Sequence, residues 1–341
     1  MTDCTPLMMP YMGTAPSFGG PVASAAPGAA VLGRATLGRD ARLGPRSVIR
    51  ADGHHVTAGD GLFLGEAATV HIAHDLFPAE LGSGVTVGRN AVIHACTIGD
   101  RCWFGEDAVV LDGSVIGAGA AFGHGAVVFP GTTLDGGWLY EGVPARPVRA
   151  LAPDDLAALH RETRAVAFGS GALDRPPTPE GAIFVAATAR LAGDIALSGG
   201  IGIWFGCVLD AGTRRIVVGE ATNIQDNSIL RAERADLRIG AFSTIGHNVA
   251  ITDATVGDRS LIGIGAILAP GTVVGDDTLV AAGARTTPGQ VLEPGAFYAG
   301  RPAVRRGPID DRKRQIIAAT SPTYRDYATR FAAEQAAAQA G

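Results

Sequence analysis

Aromatic residues make up only 6% of this 341-residue chain, and charged residues only 18%. The four cysteines, Cys4, Cys96, Cys102 and Cys207, form no C-x-x-C pair and show no framework spacing. That excludes a disulfide-stapled fold and a cysteine-held zinc site, and leaves buried or turn thiols in a reducing compartment. A formal net charge of −5 gives no general attraction to nucleic acid or to an anionic membrane surface. No uncharged run of about twenty apolar residues exists to span a bilayer. Residues 1–30 lack a basic start followed by a clean apolar stretch, so no secretory signal is expected and the chain is taken as cytoplasmic. With 47% hydrophobic residues against that low charge, disorder is excluded as well.

What is abundant is glycine. Its 48 residues are about twice the usual share. They fall in a rhythm of six: VTVGRN AVIHAC TIGDRC WFGEDA VVLDGS VIGAGA from residue 85, and STIGHN VAITDA TVGDRS LIGIGA ILAPGT VVGDDT from residue 243. One aliphatic residue per unit points inward, and a glycine after it accepts backbone angles that are costly for other residues. Three units close one triangular coil, and stacked coils bury a continuous aliphatic column.

The rhythm is written twice. Residues 47–71 align without gaps on 207–231, residues 97–117 on 255–275, and LYEGVPA (139–145) on FYAGRPA (297–303). The expected organisation is a first solenoid over 1–150, a helical linker over 151–177, a second solenoid over 178–306 and C-terminal helices over 307–341. Within the linker, residues 153–168 carry a proline–acid start and helical apolar spacing that ends at Gly169, and DRPPTPEG (174–181) reads as a stiff connector. The alanine-rich tail reads as two helical stretches, 309–318 and 323–339, packing beside a solenoid face or covering its end.

The repeat resembles the left-handed parallel β-helix of the hexapeptide-repeat superfamily, an all-β solenoid. The segments MPYMGTAPSFG, SVIRAD, AVIHACTIGD, GEATNIQDN and TIGHN resemble the γ-class carbonic anhydrases over roughly residues 10–150 and 178–306. In that family three histidines hold a divalent metal at an interface between subunits, two from one edge and one, in I-G-H-N, from the neighbouring edge. A glutamine and an Arg-x-Asp pair also line the site. The resemblance places two of the ligands at His71 and His94 in the first half, where the I-G-H-N position is Arg89. In the second half it places the third at His247, while Arg231 and Thr252 stand at the other two positions.

Neither half completes the set alone. Arg50 and Asp52 accompany the His71 edge, against Asp210 and Gly212 in the second half. Gln225 and Asp226 accompany His247, against Gly65 and Glu66 in the first. Each half has kept one edge as a set and lost the other as a set, whereas random decay would scatter the losses. The expectation is one composite site per chain, with His71, His94 and His247 as metal ligands and no organic cofactor.

Three imidazoles suit Zn²⁺, with Fe²⁺ or Co²⁺ as alternatives, and leave a position at which water is activated for attack on CO2, bicarbonate or a related carbonyl compound. Gln225 is expected at that water, and Arg50 with Asp52 beside the ligands. His74, three residues after His71, suits proton transfer because an imidazole titrates near neutrality. The family's glutamate after Arg-x-Asp is Gly53 here, followed by His54 and His55, which are turn residues or other proton carriers. Arg89 and Arg231 could replace the metal's charge at the abandoned positions. Tyr140 and Tyr298 should pack under the last coil of each copy, and Glu106 and Asp107 have no account at this level. The leading expectation is a metal-dependent lyase or hydrolase; the alternatives are an acyltransferase or thioesterase on the same fold, or a non-catalytic assembly module. The partners expected are a small-molecule substrate and an intramolecular pairing of the two domains or a homo-oligomer, with no nucleic acid and no membrane.

Overall fold

A computed structural model describes residues 5–166, 168 and 180–340 of the chain, with side chains as far as residue 337. It divides into two compact units, with the division between residues 173 and 174. Each unit is a parallel β-solenoid of the hexapeptide-repeat, left-handed β-helix type.

In the first unit the inward aliphatics stack coil upon coil. Ile49 pairs in register with Val70, Val70 with Ile93, Ile93 with Val110 and Val110 with Val128. All five are buried, and each such side chain stabilises the fold by roughly 1.5–3 kcal/mol. A second column ends in aromatic rings, with Phe104 on Phe122 at 4.9 Å and Phe122 on Tyr140 at 5.2 Å between centroids. Tyr140 is buried and its hydroxyl donates to the Asp135 carbonyl at 2.9 Å, the packing expected of it.

The second unit repeats the plan with Leu209, Leu230, Ile251 and Leu268 in one column. Tyr298 lies under its last coil, where its hydroxyl accepts from the Glu293 N–H at 2.8 Å. The corners explain part of the motif. Asn90, Asn227 and Asn248, the last letters of VGRN, QDN and IGHN, adopt φ of 57°, 59° and 56°, a left-handed conformation that asparagine tolerates better than most residues. At Gly246 a Cβ would lie 2.8 Å from the Ile262 carbonyl oxygen, so the glycine lets successive turns stack closely.

Both helices differ in extent from the sequence expectation. The first, α1 (Pro153–Arg164), starts on a proline at its first turn with Asp154 and Asp155 beside it, and ends with Arg161 and Arg164 in its last turn. It stops before Phe168 because the Arg164 guanidinium turns onto the Gly61 and Gly84 carbonyls of the solenoid, at 3.1 and 2.9 Å. His160 on Thr86 at 2.7 Å and Trp103 on Thr163 at 2.9 Å fasten α1 to its own unit. Gly169 and the connector at 174–179 lie outside the described residues.

The tail forms one continuous helix, α2 (Asp311–Ala340), rather than two. Pro322 sits inside it; packing of Tyr324, Tyr327, Ala328 and Phe331 against the second solenoid outweighs the loss of one helical donor.

Candidate metal centre

The residue after each inward aliphatic in the first column stands at a solenoid edge. Strand pairing therefore stacks Arg50, His71 and His94 on successive coils. Their edge is buried: His71 is 2% exposed and His94 9%, and Arg50 and Asp52 are both fully enclosed.

Arg50 and Asp52 form a buried ion pair and hydrogen bond. Burial opposes ionisation of Asp52, yet Arg50 and then His71 hold its carboxyl well below the usual range. Asp52 also lies 3.3 Å from His71 Nε2. On the other side, His94 Nδ1 lies 2.5 Å from Asp112. Burial again works against ionisation of Asp112, but the His94 imidazole holds its carboxyl below the ordinary value.

Between these two carboxylates, His71 Nδ1 and His94 Nε2 face each other at 3.2 Å. Each imidazole that donates its outer N–H to an aspartate turns a bare lone pair on its inner nitrogen, as the partners require of the tautomer. Two lone pairs at that separation repel unless a cation lies between them. Two ligands on a tetrahedral zinc ion with bonds of about 2.0–2.1 Å are themselves about 3.3 Å apart. The donor set and its spacing fit a divalent ion.

The second half presents the other edge. Gln225, Asp226 and Asn227 form one corner, and Gly246, His247 and Asn248 form the corner of the next coil. Asn248 N–H donates to the Asp226 carbonyl at 2.9 Å, so Asp226 and His247 are stacked. His247 is 0% exposed; its Nδ1 lies 3.2 Å from the Asp226 carboxylate, and its Nε2 lies 3.3 Å from the Tyr324 hydroxyl of α2. Gln225 is buried, with its side-chain amide donating to Asn223 at 3.2 Å. An aspartate behind a histidine thus recurs at all three candidate ligands, the arrangement that fixes ring orientation in metal sites.

The counterparts are exposed. Asp210, Arg231 and Thr252 form the matching register in the second half; the first two are exposed and Thr252 is half-buried. Arg89 and Glu66 are exposed in the first half, with Arg89 paired to Glu106 at 2.6 Å. That pair accounts for Glu106, while Asp107 accepts from Asn90 at 2.7 Å.

His74 lies on an exposed loop at φ 49°, 3.9 Å from Asp75. His54 and His55 are not turn residues: they lie within the strand Val48–Ala58, between its paired segments 48–51 and 56–58. His55 faces Glu80 at 3.4 Å.

Asp112 and Tyr324 were not among the candidate residues from sequence. A signal existed for Asp112, which falls 18 residues after His94, one coil of three hexapeptides. None existed for Tyr324, which reaches His247 from 77 residues away through helix packing. Cys96, Cys102 and Cys207 are buried and form no disulfide with one another, as expected of structural thiols. Burial pushes the Cys102 thiol up to about 11.

Residues 95–130 match the family model "Bacterial transferase hexapeptide (six repeats)", and residues 254–285 match "Hexapeptide repeat of succinyl-transferase". Gamma carbonic anhydrase 1, mitochondrial, of Arabidopsis thaliana is 35% identical over 170 residues, 48% of this chain and 62% of that protein. Protein YrdA of Escherichia coli K12 is 36% identical over 135 residues, 38% of this chain and 73% of YrdA. The chain spans about three fifths of the length of the Arabidopsis relative. A solved structure from Desulfovibrio desulfuricans G20, described as a candidate acetyltransferase, superposes with a TM-score of 0.55 at 17% identity, over 88% of this chain and 68% of that one, and shares the fold. The chain is a hexapeptide-repeat protein. Within that group it belongs to the γ-carbonic-anhydrase-like family. Among the described residues no helix is long and apolar enough to cross a membrane.

Proposed function

We propose that the chain is a metalloenzyme of γ-carbonic-anhydrase type, in which His71 and His94 of the first half and His247 of the second hold one divalent ion. The observation that carries this reading is the 3.2 Å approach of His71 Nδ1 and His94 Nε2, each backed by an aspartate, with the same backing repeated at His247. Bound there, zinc, iron or cobalt supplies a Lewis acid that makes water nucleophilic at neutral pH.

The chain's own residues do the rest. Asp52 and Asp112 accept from the outer ring nitrogens of His71 and His94 and keep the inner nitrogens unprotonated, and the Asp226 carboxylate stands 3.2 Å from His247 Nδ1. Arg50 balances the charge of Asp52 and holds that carboxylate in place. The carboxamide of Gln225 and the hydroxyl of Tyr324 supply polar groups on the His247 side, to orient water and a small electrophile such as CO2. His74, exposed to solvent, would hand protons to bulk water.

Metal analysis of the purified chain tests this together with a CO2-hydration assay. One ion per chain with hydration activity is expected, and His94→Ala and His247→Ala should each abolish metal binding although they lie in different halves. Loss in only one of the two variants would rule out the composite site. Metal accompanied by thioester turnover and no CO2 hydration would favour acyl-transfer chemistry, and a metal-free chain would favour an assembly module.

A further inference from the structure

The second unit carries a cleft that the metal centre does not use. It lies between α2 and the solenoid, has a volume of about 410 Å³, and its apolar wall is Phe242, Ile309 and Ile317. Ile309 and Ile317 are buried, whereas Phe242 is 44% exposed.

Phe242 also has φ of 56°. A bulky side chain in the left-handed region is costly, and the turns nearest in sequence place asparagine there, at Asn227 and Asn248. Arg259 and Asp277, which line the same cleft, share that conformation at φ of 50° and 54°.

Three guanidiniums line the same space, from Arg259, Arg314 and Arg325, against one carboxylate, Asp277. Arg259 and Asp277 neutralise one another through two bonds of 2.9 Å, with Asp276 and Asp258 near Arg259 at 3.8 and 4.0 Å. Among the described residues the guanidiniums of Arg314 and Arg325 make no hydrogen bond and no ion pair within 4 Å, although the charge of Arg314 acts on Asp277 from farther off. Both line the cleft from α2, eleven residues and about 16 Å apart along its axis, so they stand towards its two ends.

We propose that this cleft is a binding site for a small organic anion with an apolar body, its charged group held by Arg314 or Arg325 and its body laid on Phe242, Ile309 and Ile317. Guanidiniums recognise carboxylate, sulfonate and phosphate oxygens through paired donors, and the apolar wall rejects ions that lack a body to bury.

The test is a fluorescence titration of the full chain with 1-anilinonaphthalene-8-sulfonate, run with and without EDTA treatment so that metal occupancy does not enter. One saturable site per chain is expected, competed by octanoate but not by equal concentrations of octan-1-ol or inorganic phosphate. One of Arg314→Gln and Arg325→Gln should weaken binding about tenfold, as should the double variant and Phe242→Ala, with the melting temperature of the two arginine variants unchanged. Absence of a saturable site, unchanged affinity in the Arg314→Gln/Arg325→Gln double variant, or competition by octanol as strong as by octanoate would each overturn the assignment.

Discussion

Arg50, His71 and His94 in the first half occupy the same ladder positions as Asp210, Arg231 and Thr252 in the second. The first three are buried; of the second three, Asp210 and Arg231 are exposed. At the other edge the order reverses, with Gln225, Asp226 and His247 buried and Glu66 and Arg89 exposed. The inward columns do not differ in this way, since Ile49, Val70 and Ile93 are as enclosed as Leu209, Leu230 and Ile251. Neighbouring residues on one strand therefore carry separate jobs. The inward residue builds the solenoid in both copies, and the outward one is free to become a ligand or a surface charge.

The largest test of this contrast is Asp52→Ala beside Asp210→Ala. Removing Asp52 leaves the fully buried Arg50 uncompensated, which should cost about 3–5 kcal/mol in urea denaturation, whereas the exposed Asp210 should change stability by less than about 0.5 kcal/mol. Equal effects would erase the distinction between the two edges. Ile93→Ala and Ile251→Ala sharpen it from the other side: each should cost about 2–5 kcal/mol, because the columns are equivalent.

Metal affinity gives the next tier. Asp112→Asn and Asp226→Asn should each lower it about 10–100-fold by chelator competition, since each removes the carboxylate behind a ligand without removing the ligand. The smallest effects belong to the abandoned positions. Arg89→Ala and Arg231→Ala should leave metal content unchanged and move the unfolding midpoint by no more than about 0.5 kcal/mol equivalent.

Much of this was legible before the structure. The period of six specified stacked coils, and the gapless alignment of the halves located the edge positions, because one residue per coil must face each direction. The aspartate behind His94 was legible in principle from the 18-residue coil, but its counterpart Pro270 gave no repeated pattern to draw attention to it. The helices were less legible. The tail reads as two stretches, 309–318 and 323–339, yet one helix forms because burial of Tyr324, Tyr327 and Phe331 outweighs the donor missing at Pro322. His54 and His55 read as turn residues or proton carriers after Gly53 and instead lie in a strand, in a stretch between two paired segments, 48–51 and 56–58, where the register shifts.

By itself, then, the sequence determined the repeating architecture, since a six-residue period with one inward aliphatic allows few other ways to bury a core. Tertiary structure alone decided what touches the imidazoles. Asp112 and Tyr324 reach His94 and His247 through coil stacking and helix packing, and those contacts depend on where whole elements come to rest.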